Sequence, residues 1–157
     1  RIAIMNAQLI NPFLVAVESI LSQFGVADIR KGAVMLKEEM VIERDVTAFV
    51  GVVGDLRGNI AYCFTAETAR KLASAMMMGM PVPELDEMSR SAIAELANVI
   101  TGNAASLLAE EQVKVDITPP SMIVGKDIYL VLSSVRTLIV TFETPVGSIE
   151  VHICLEV

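Results

Sequence analysis

The segment from Ser91 to Glu110, SAIAELANVITGNAASLLAE, constrains this chain more than any other. At 100° per residue, Ile93, Leu96, Ala97, Ile100, Ala104, Leu107 and Leu108 fall on one side of a helix. Such a stripe must be buried, so the helix has to lie on a sheet or against a second helix. The opposite side carries Ser91, Glu95, Asn98, Gly102 and Ser106, with Ala94, Ala105 and Ala109 alongside. A solvated helix face ordinarily mixes long side chains of both signs. No lysine or arginine lies between Ser91 and Glu110. A carboxylate and a carboxamide one turn apart therefore stand among groups too small to hinder an approaching surface. That is the outline of a docking face with two chemically useful groups.

The flanking sequence supplies what this helix packs against. Asn6 to Gly25 has helical spacing of Leu9, Phe13, Val17, Ile20, Leu21 and Phe24, with Pro12 early and Gly25 as a C-terminal cap. Thr65 to Met78 reads as a further helix with Thr65 as its N-cap. Strands are expected at Ile29–Met40, Thr47–Val53, Asn59–Phe64, Val113–Thr118, Ile128–Val135, Thr137–Phe142 and Ser148–Leu155. Pro119-Pro120 breaks the fourth of these, and Met122–Val124 continues it beyond the break. Val50–Thr65 and Ile139–Leu155 share a pattern of strand, short turn ending in glycine, and strand. Each follows a segment holding a long helix and another strand, a weak internal repeat. The expected architecture is an α+β domain with a pseudo-symmetric, antiparallel-rich sheet and two long helices on one side. One domain over residues 5–157 suffices for this length, and Arg1–Ile4 before Met5 read as an extraneous remnant.

Composition narrows the function classes. With 54% hydrophobic residues, 4% aromatics and nine methionines, the core is aliphatic and methionine-filled. A net charge of −7 makes nucleic acid a poor partner, because that affinity rests on lysine and arginine neutralising phosphates. A cationic or magnesium-bearing protein surface fits better. No apolar run approaches the ~18 residues of a membrane span, so no membrane partner and a cytoplasmic location are expected. Cys63 and Cys154 sit in strand-like apolar runs and read as buried thiols of a reducing compartment. His152, the only histidine, shares a strand face with Cys154, but two ligands do not make a metal site, so no metal is expected. Ser91 has no base to activate it and reads as an N-cap or first-turn hydrogen-bonder. Asn103, about 80° around the helix from Glu95, reads as a capping or inter-helix group. Met76, Met77, Met78 and Met80 read as core, with one edge exposed at a dimer interface.

Glu84–Gly125, ELDEMSRSAIAELANVITGNAASLLAEEQVKVDITPPSMIVG, resembles the CheC/CheX family of chemotaxis phosphatases. The family helix carries an acidic residue or serine, three residues, Glu, two residues and Asn, with a proline about twenty residues on. These match Ser91, Glu95, Asn98 and Pro119-Pro120, the last at a slightly shorter spacing. Ile10-Asn11-Pro12-Phe13, Gly54-Asp55-Leu56-Arg57-Gly58, Thr101-Gly102-Asn103 and Ile123-Val124-Gly125 extend the resemblance over most of the chain. The first helix lacks a Glu-x-x-Asn, which selects the CheX branch.

The resemblance implies a single CheC-like domain that hydrolyses the phosphoryl-aspartate of a CheY-type response regulator. It assigns Glu95 and Asn98 as catalytic, with Ser91 and Gly102 on the docking face. Aspartyl phosphate is already labile, and the regulator holds its own Mg2+ and lysine, so this chain needs no cofactor. What remains is a water held in line with phosphorus. A carboxamide can accept from that water and donate beside it, which suits Asn98, while Glu95 could pair with the regulator's lysine. The resemblance also implies a homodimer. The rival reading is a non-catalytic regulator-binding module related to flagellar motor switch proteins.

Overall fold

Leu9, Phe13, Val17, Ile20 and Leu21 lie along one side of the first helix and pack on the helix that carries Ser91 to Glu110. The computed structural model describes residues 6–157, with three helices and nine strands among them. The helices are α1 (Ala7–Gln23), α2 (Ala66–Met76) and α3 (Glu87–Glu110). The strands are β1 (Arg30–Lys37), β2 (Met40–Ile42), β3 (Val46–Gly54), β4 (Arg57–Phe64), β5 (Val115–Ile117), β6 (Ser121–Val124), β7 (Leu130–Ser133), β8 (Thr137–Thr144) and β9 (Gly147–Glu156). Arg1–Ile4, read as a remnant, lie outside the described residues.

Seven strands form one antiparallel sheet in the order β1-β8-β9-β4-β3-β5, with β6 also on β3. β5 and β6 are one edge strand in two pieces. β5 pairs with Val52–Gly54 and β6 with Val46–Phe49. Pro119-Pro120 fall between the pieces, where a residue without an N–H does least harm to a ladder. Gly51 and Thr118 bridge the gap: the Gly51 N–H donates to Thr118 Oγ1 at 2.8 Å and the Thr118 N–H to the Gly51 carbonyl at 2.9 Å. A Cβ at Gly51 would stand 2.8 Å from that hydroxyl, so this position needs glycine.

The weak repeat corresponds to an interlocked pseudo-twofold. The first half runs α1, β1, β2, β3, β4, and the second α3, β5/β6, β7, β8, β9. β1 pairs with β8 of the second half, and β5/β6 pair with β3 of the first. β4 and β9 meet at the centre, while β2 pairs with β7 in a separate two-stranded sheet. Each half therefore lends its first strand to the other's hairpin.

Strand alternation divides the interior. Ile60, Tyr62 and Phe64 of β4, with Val151, Ile153 and Leu155 of β9, join the helices in the main core. Ala61, Cys63 and Cys154 face the other way and pack with Met40 and Ile42 in a second, smaller core. The sequence reading placed helices on one side and anticipated nothing on the other. It also ran β1 and β2 together as Ile29–Met40; the chain bends at Glu38-Glu39, and only the part after the bend folds onto the back of the sheet.

Candidate active site on helix α3

α3 begins at Glu87, four residues before Ser91, because Asp86 caps it. The Asp86 Oδ1 accepts from the Ser89 N–H at 2.9 Å and from the Ser89 hydroxyl at 2.8 Å. Those bonds, the Ser89 N–H first, hold the Asp86 carboxyl below the usual carboxylate range. Ser91 is thus neither the N-cap nor in the first turn, which corrects the expectation above; it lies exposed inside the helix. The signal for the true start is in the sequence, an aspartate followed at once by Glu87 in the helix's electropositive first turn. At the other end Gln112 adopts φ 66°, and the Val113 N–H returns to the Leu108 carbonyl at 3.0 Å, closing a Schellman turn.

The helix's rotation decides which groups reach solvent. Ile93, Leu96, Ala97, Ile100, Ala104 and Leu108 are buried, as their spacing requires, while Leu107 is only half-buried. Thr101 supplies a directional lock that apolar packing lacks. Its hydroxyl donates to the Ala97 carbonyl at 2.7 Å, so the Tyr62 hydroxyl, also at 2.7 Å, donates to Thr101. Both side chains are buried, and burial pushes the Tyr62 hydroxyl's pKa well above its ordinary value. This Tyr62–Thr101–Ala97 relay ties α3 to β4 one turn beyond Asn98. Helical periodicity alone gave no hint of it, since a threonine inside an apolar stripe reads as a neutral filler.

With the helix held that way, Ser91 and Glu95 are exposed and Asn98 is half-buried. Glu95 and Asn98 are separated by about 4.5 Å along the axis and about 60° around it. Neither side chain hydrogen-bonds to another described residue. Gly102 is half-buried on the flank where β5 passes, and a Cβ there would meet Ile117 Cδ1 at 3.8 Å, ordinary contact. Ala94 and Ala105 beside the strip are small and half-buried. Asn103 is half-buried and makes no hydrogen bond to a described residue, so the capping role expected of it is not found. The result is an open helical ridge with an acceptor-only group and a donor–acceptor group facing outward.

α3 has the length and mean hydropathy, 1.3, of a membrane span. Its apolar stripe is nevertheless spent on α1 and the sheet, and its other side carries Glu87, Arg90, Glu95 and Asn98.

The more conspicuous polar cluster lies behind the sheet. Arg44 Nη2 and Glu150 Oε2 are 2.7 Å apart, and the His152 Nε2–H donates to Glu150 Oε1 at 3.2 Å. His152 is buried, and its Nδ1 has no partner among the described residues. These groups line a cleft of about 380 Å³ with Lys37, Glu43 and Thr141. The hydrogen bond from His152 outweighs desolvation and, with Arg44, holds the Glu150 carboxyl down at about 2. Cys63 and Cys154 are free and buried, and burial pushes the Cys63 thiol up to about 12, which makes it unreactive. Among the described residues no group of three or more His, Cys, Asp or Glu could hold a metal ion. Of the methionines, Met76 packs on the core, while Met78 and Met80 form an exposed edge. Met78 takes the left-handed turn that ends α2, at φ 59°, and its side chain is exposed.

α3 lies within the part of the chain that matches a known family. Residues 46–143, which include the whole of it, match the family "Chemotaxis phosphatase CheX". The chain belongs to the CheX family. It is 35% identical over 125 residues to the CheY-P phosphatase CheX of Thermotoga maritima, covering 79% of this chain and 80% of that protein. Among solved structures, a CheC-like superfamily protein from Shewanella sp. PV-4 superposes with a TM-score of 0.87 at 26% identity, over 98% of this chain and 100% of that one. The CheX–CheY–BeF3–Mg2+ complex from Borrelia burgdorferi superposes with a TM-score of 0.78 at 30% identity, over 94% of this chain and 97% of that one. The α+β architecture read from the sequence is thus the CheX architecture.

Proposed function

We propose that this chain is a phosphatase of CheY-type response regulators, with α3 supplying half of a catalytic centre that is completed by the regulator. One observation carries the reading: a carboxylate and a carboxamide, neither held by the rest of the described chain, stand together on an exposed, rigidly seated helix. Asn98 orients the water that attacks the phosphoryl-aspartate, accepting one of its protons in a hydrogen bond and aligning it with phosphorus. Glu95 pairs with the regulator's active-site lysine and fixes the register of docking. Ser91 and Gly102 are contact positions, Gly102 at the half-buried margin. Mg2+ comes with the regulator, so the reaction asks for no metal ligand from this chain. The relatives support the reaction, one being a CheY-P phosphatase and another a CheX bound to CheY with BeF3 and Mg2+.

The active form proposed here is a cytoplasmic homodimer. β1 pairs with β8 along one edge only, and Val34, Met35 and Leu36 are 55%, 50% and 49% exposed along it. An apolar edge strand of this kind is a template for pairing, which a second copy would satisfy.

Phosphate release from a Mg2+-loaded phospho-regulator, with wild-type protein, Asn98→Ala and Glu95→Ala, tests the reading. Asn98→Ala is expected to lose about 10²-fold in rate. Glu95→Ala is expected to bind about tenfold more weakly and to retain chemistry once bound. Equal rates for all three proteins would sink the mechanism. Stable binding without accelerated release by the wild type would favour the binding-module alternative.

A further inference from the structure

The α3 ridge also presents an apolar side chain that the hydrolytic chemistry leaves unused. Met88, in the first turn, is 63% exposed. It precedes Glu95 by seven residues, which puts it about 10 Å up the axis and within about 20° of the same line. Met88, Ser91, Glu95 and Asn98 therefore form one continuous strip rather than a site with a stray hydrophobe nearby. The turn that carries Met88 is fixed, since the Asp86 cap and the buried Ser89 hold it against the body of the protein. Its surroundings are acidic: Glu84, Asp86 and Glu87 are all exposed. Arg90 is the cation nearest in sequence, and its guanidinium donates to the Leu85 carbonyl at 2.7 Å.

We propose that Met88 is an anchor for the response regulator, filling an apolar dimple with a cationic rim beside the phosphorylation site, and that it helps select which regulators are accepted. This rests on the function proposed above, because the occupant is the same regulator. Continuity with Glu95 and Asn98 fixes where the partner must lie. The carboxylates around Met88 fix the sign of the rim it presents. A flexible, polarisable thioether adapts to such a surface with little ordering of its own. Met78 and Met80, though exposed, belong to the loop before α3 and are not needed for this contact.

The test uses a CheY-type regulator activated with Mg2+ and beryllofluoride, titrated with the full chain and with Met88→Ala, Met88→Gln and Met88→Leu. All three residues are good helix formers, so the fold is retained. The Kd is expected to rise about five- to tenfold for Ala and Gln and to stay within about twofold for Leu. In phosphate release KM should rise likewise with kcat unchanged, the opposite of Asn98→Ala. Wild-type affinity in the Ala and Gln variants would overturn the anchor, whatever the turnover. A wild-type chain that binds but does not accelerate release would overturn the phosphatase reading while the Kd series still decides the anchor. No binding by the wild type would overturn both.

Discussion

The outward strip of α3 and the Arg44–Glu150–His152 cluster behind the sheet make opposite use of polar groups. The cluster has what usually draws attention to a site: the only histidine, a strongly perturbed carboxylate, an arginine and a cleft. Its groups bond to one another behind the sheet, apart from His152 Nδ1, which has no partner among the described residues. The α3 strip lies on the outer surface of a helix, and its carboxylate and carboxamide are left open to a partner. Partner-completed chemistry reverses the usual search rule, because half the site's charges are in the other protein. A group kept for a partner is recognisable by what it does not bond to at home.

That contrast can be broken most sharply at Asn98. Asn98→Ala should cut turnover about 10²-fold, about 2.7 kcal/mol of barrier, while Tm moves by no more than a surface substitution allows. Glu150→Ala should do the reverse. With Nδ1 already unpartnered, His152 would lose its one hydrogen bond, costing about 1–3 kcal/mol of stability with no change in kcat per folded molecule. Thermal unfolding beside phosphate release separates the two. Glu150 also gives the cluster a pH signature. Its folded pKa lies at about 2, below the ordinary 4.5, so it stabilises the fold above the unfolded value. That contribution should fade as pH falls from about 5 towards 2 in wild type and be missing from the Glu150→Ala unfolding profile. A pH-independent difference between the two proteins would remove the cluster's assigned role.

Smaller and more diagnostic is the relay beneath Asn98. Thr101→Val strands the buried Tyr62 hydroxyl and should cost about 1–3 kcal/mol. Tyr62→Phe removes the donor but leaves the Thr101 hydroxyl bonded to the Ala97 carbonyl, so about 1 kcal/mol is expected. Chemical denaturation of the pair reads this asymmetry; equal costs would mean that the hydroxyls are oriented the other way.

The sequence made the α3 strip legible because helical periodicity acts residue by residue, and Ile93 to Leu108 obey it. The strand pattern with its broken edge at Pro119-Pro120 was legible for the same local reason. The start of α3 was misplaced because a capping aspartate competes with a plausible serine nearby, and only geometry shows which oxygen meets the Ser89 N–H. The back-side sheet of β2 and β7, the burial of His152 and the Tyr62–Thr101 contact depend on strands far apart in the chain. No local pattern encodes them. Which methionines form the exposed edge, Met78 and Met80, follows from the left-handed turn at Met78 that ends α2, which helical periodicity does not locate.

The most direct measurement is the single-turnover loss of phosphate from a phospho-regulator saturated with this chain, compared with the regulator saturated with Asn98→Ala. Saturation removes any difference in docking and leaves only the positioning of water. Acceleration by the wild type, with a rate about 10²-fold lower for Asn98→Ala at equal occupancy, is the predicted result. Identical single-turnover rates at equal occupancy would contradict it and remove Asn98 from the chemistry.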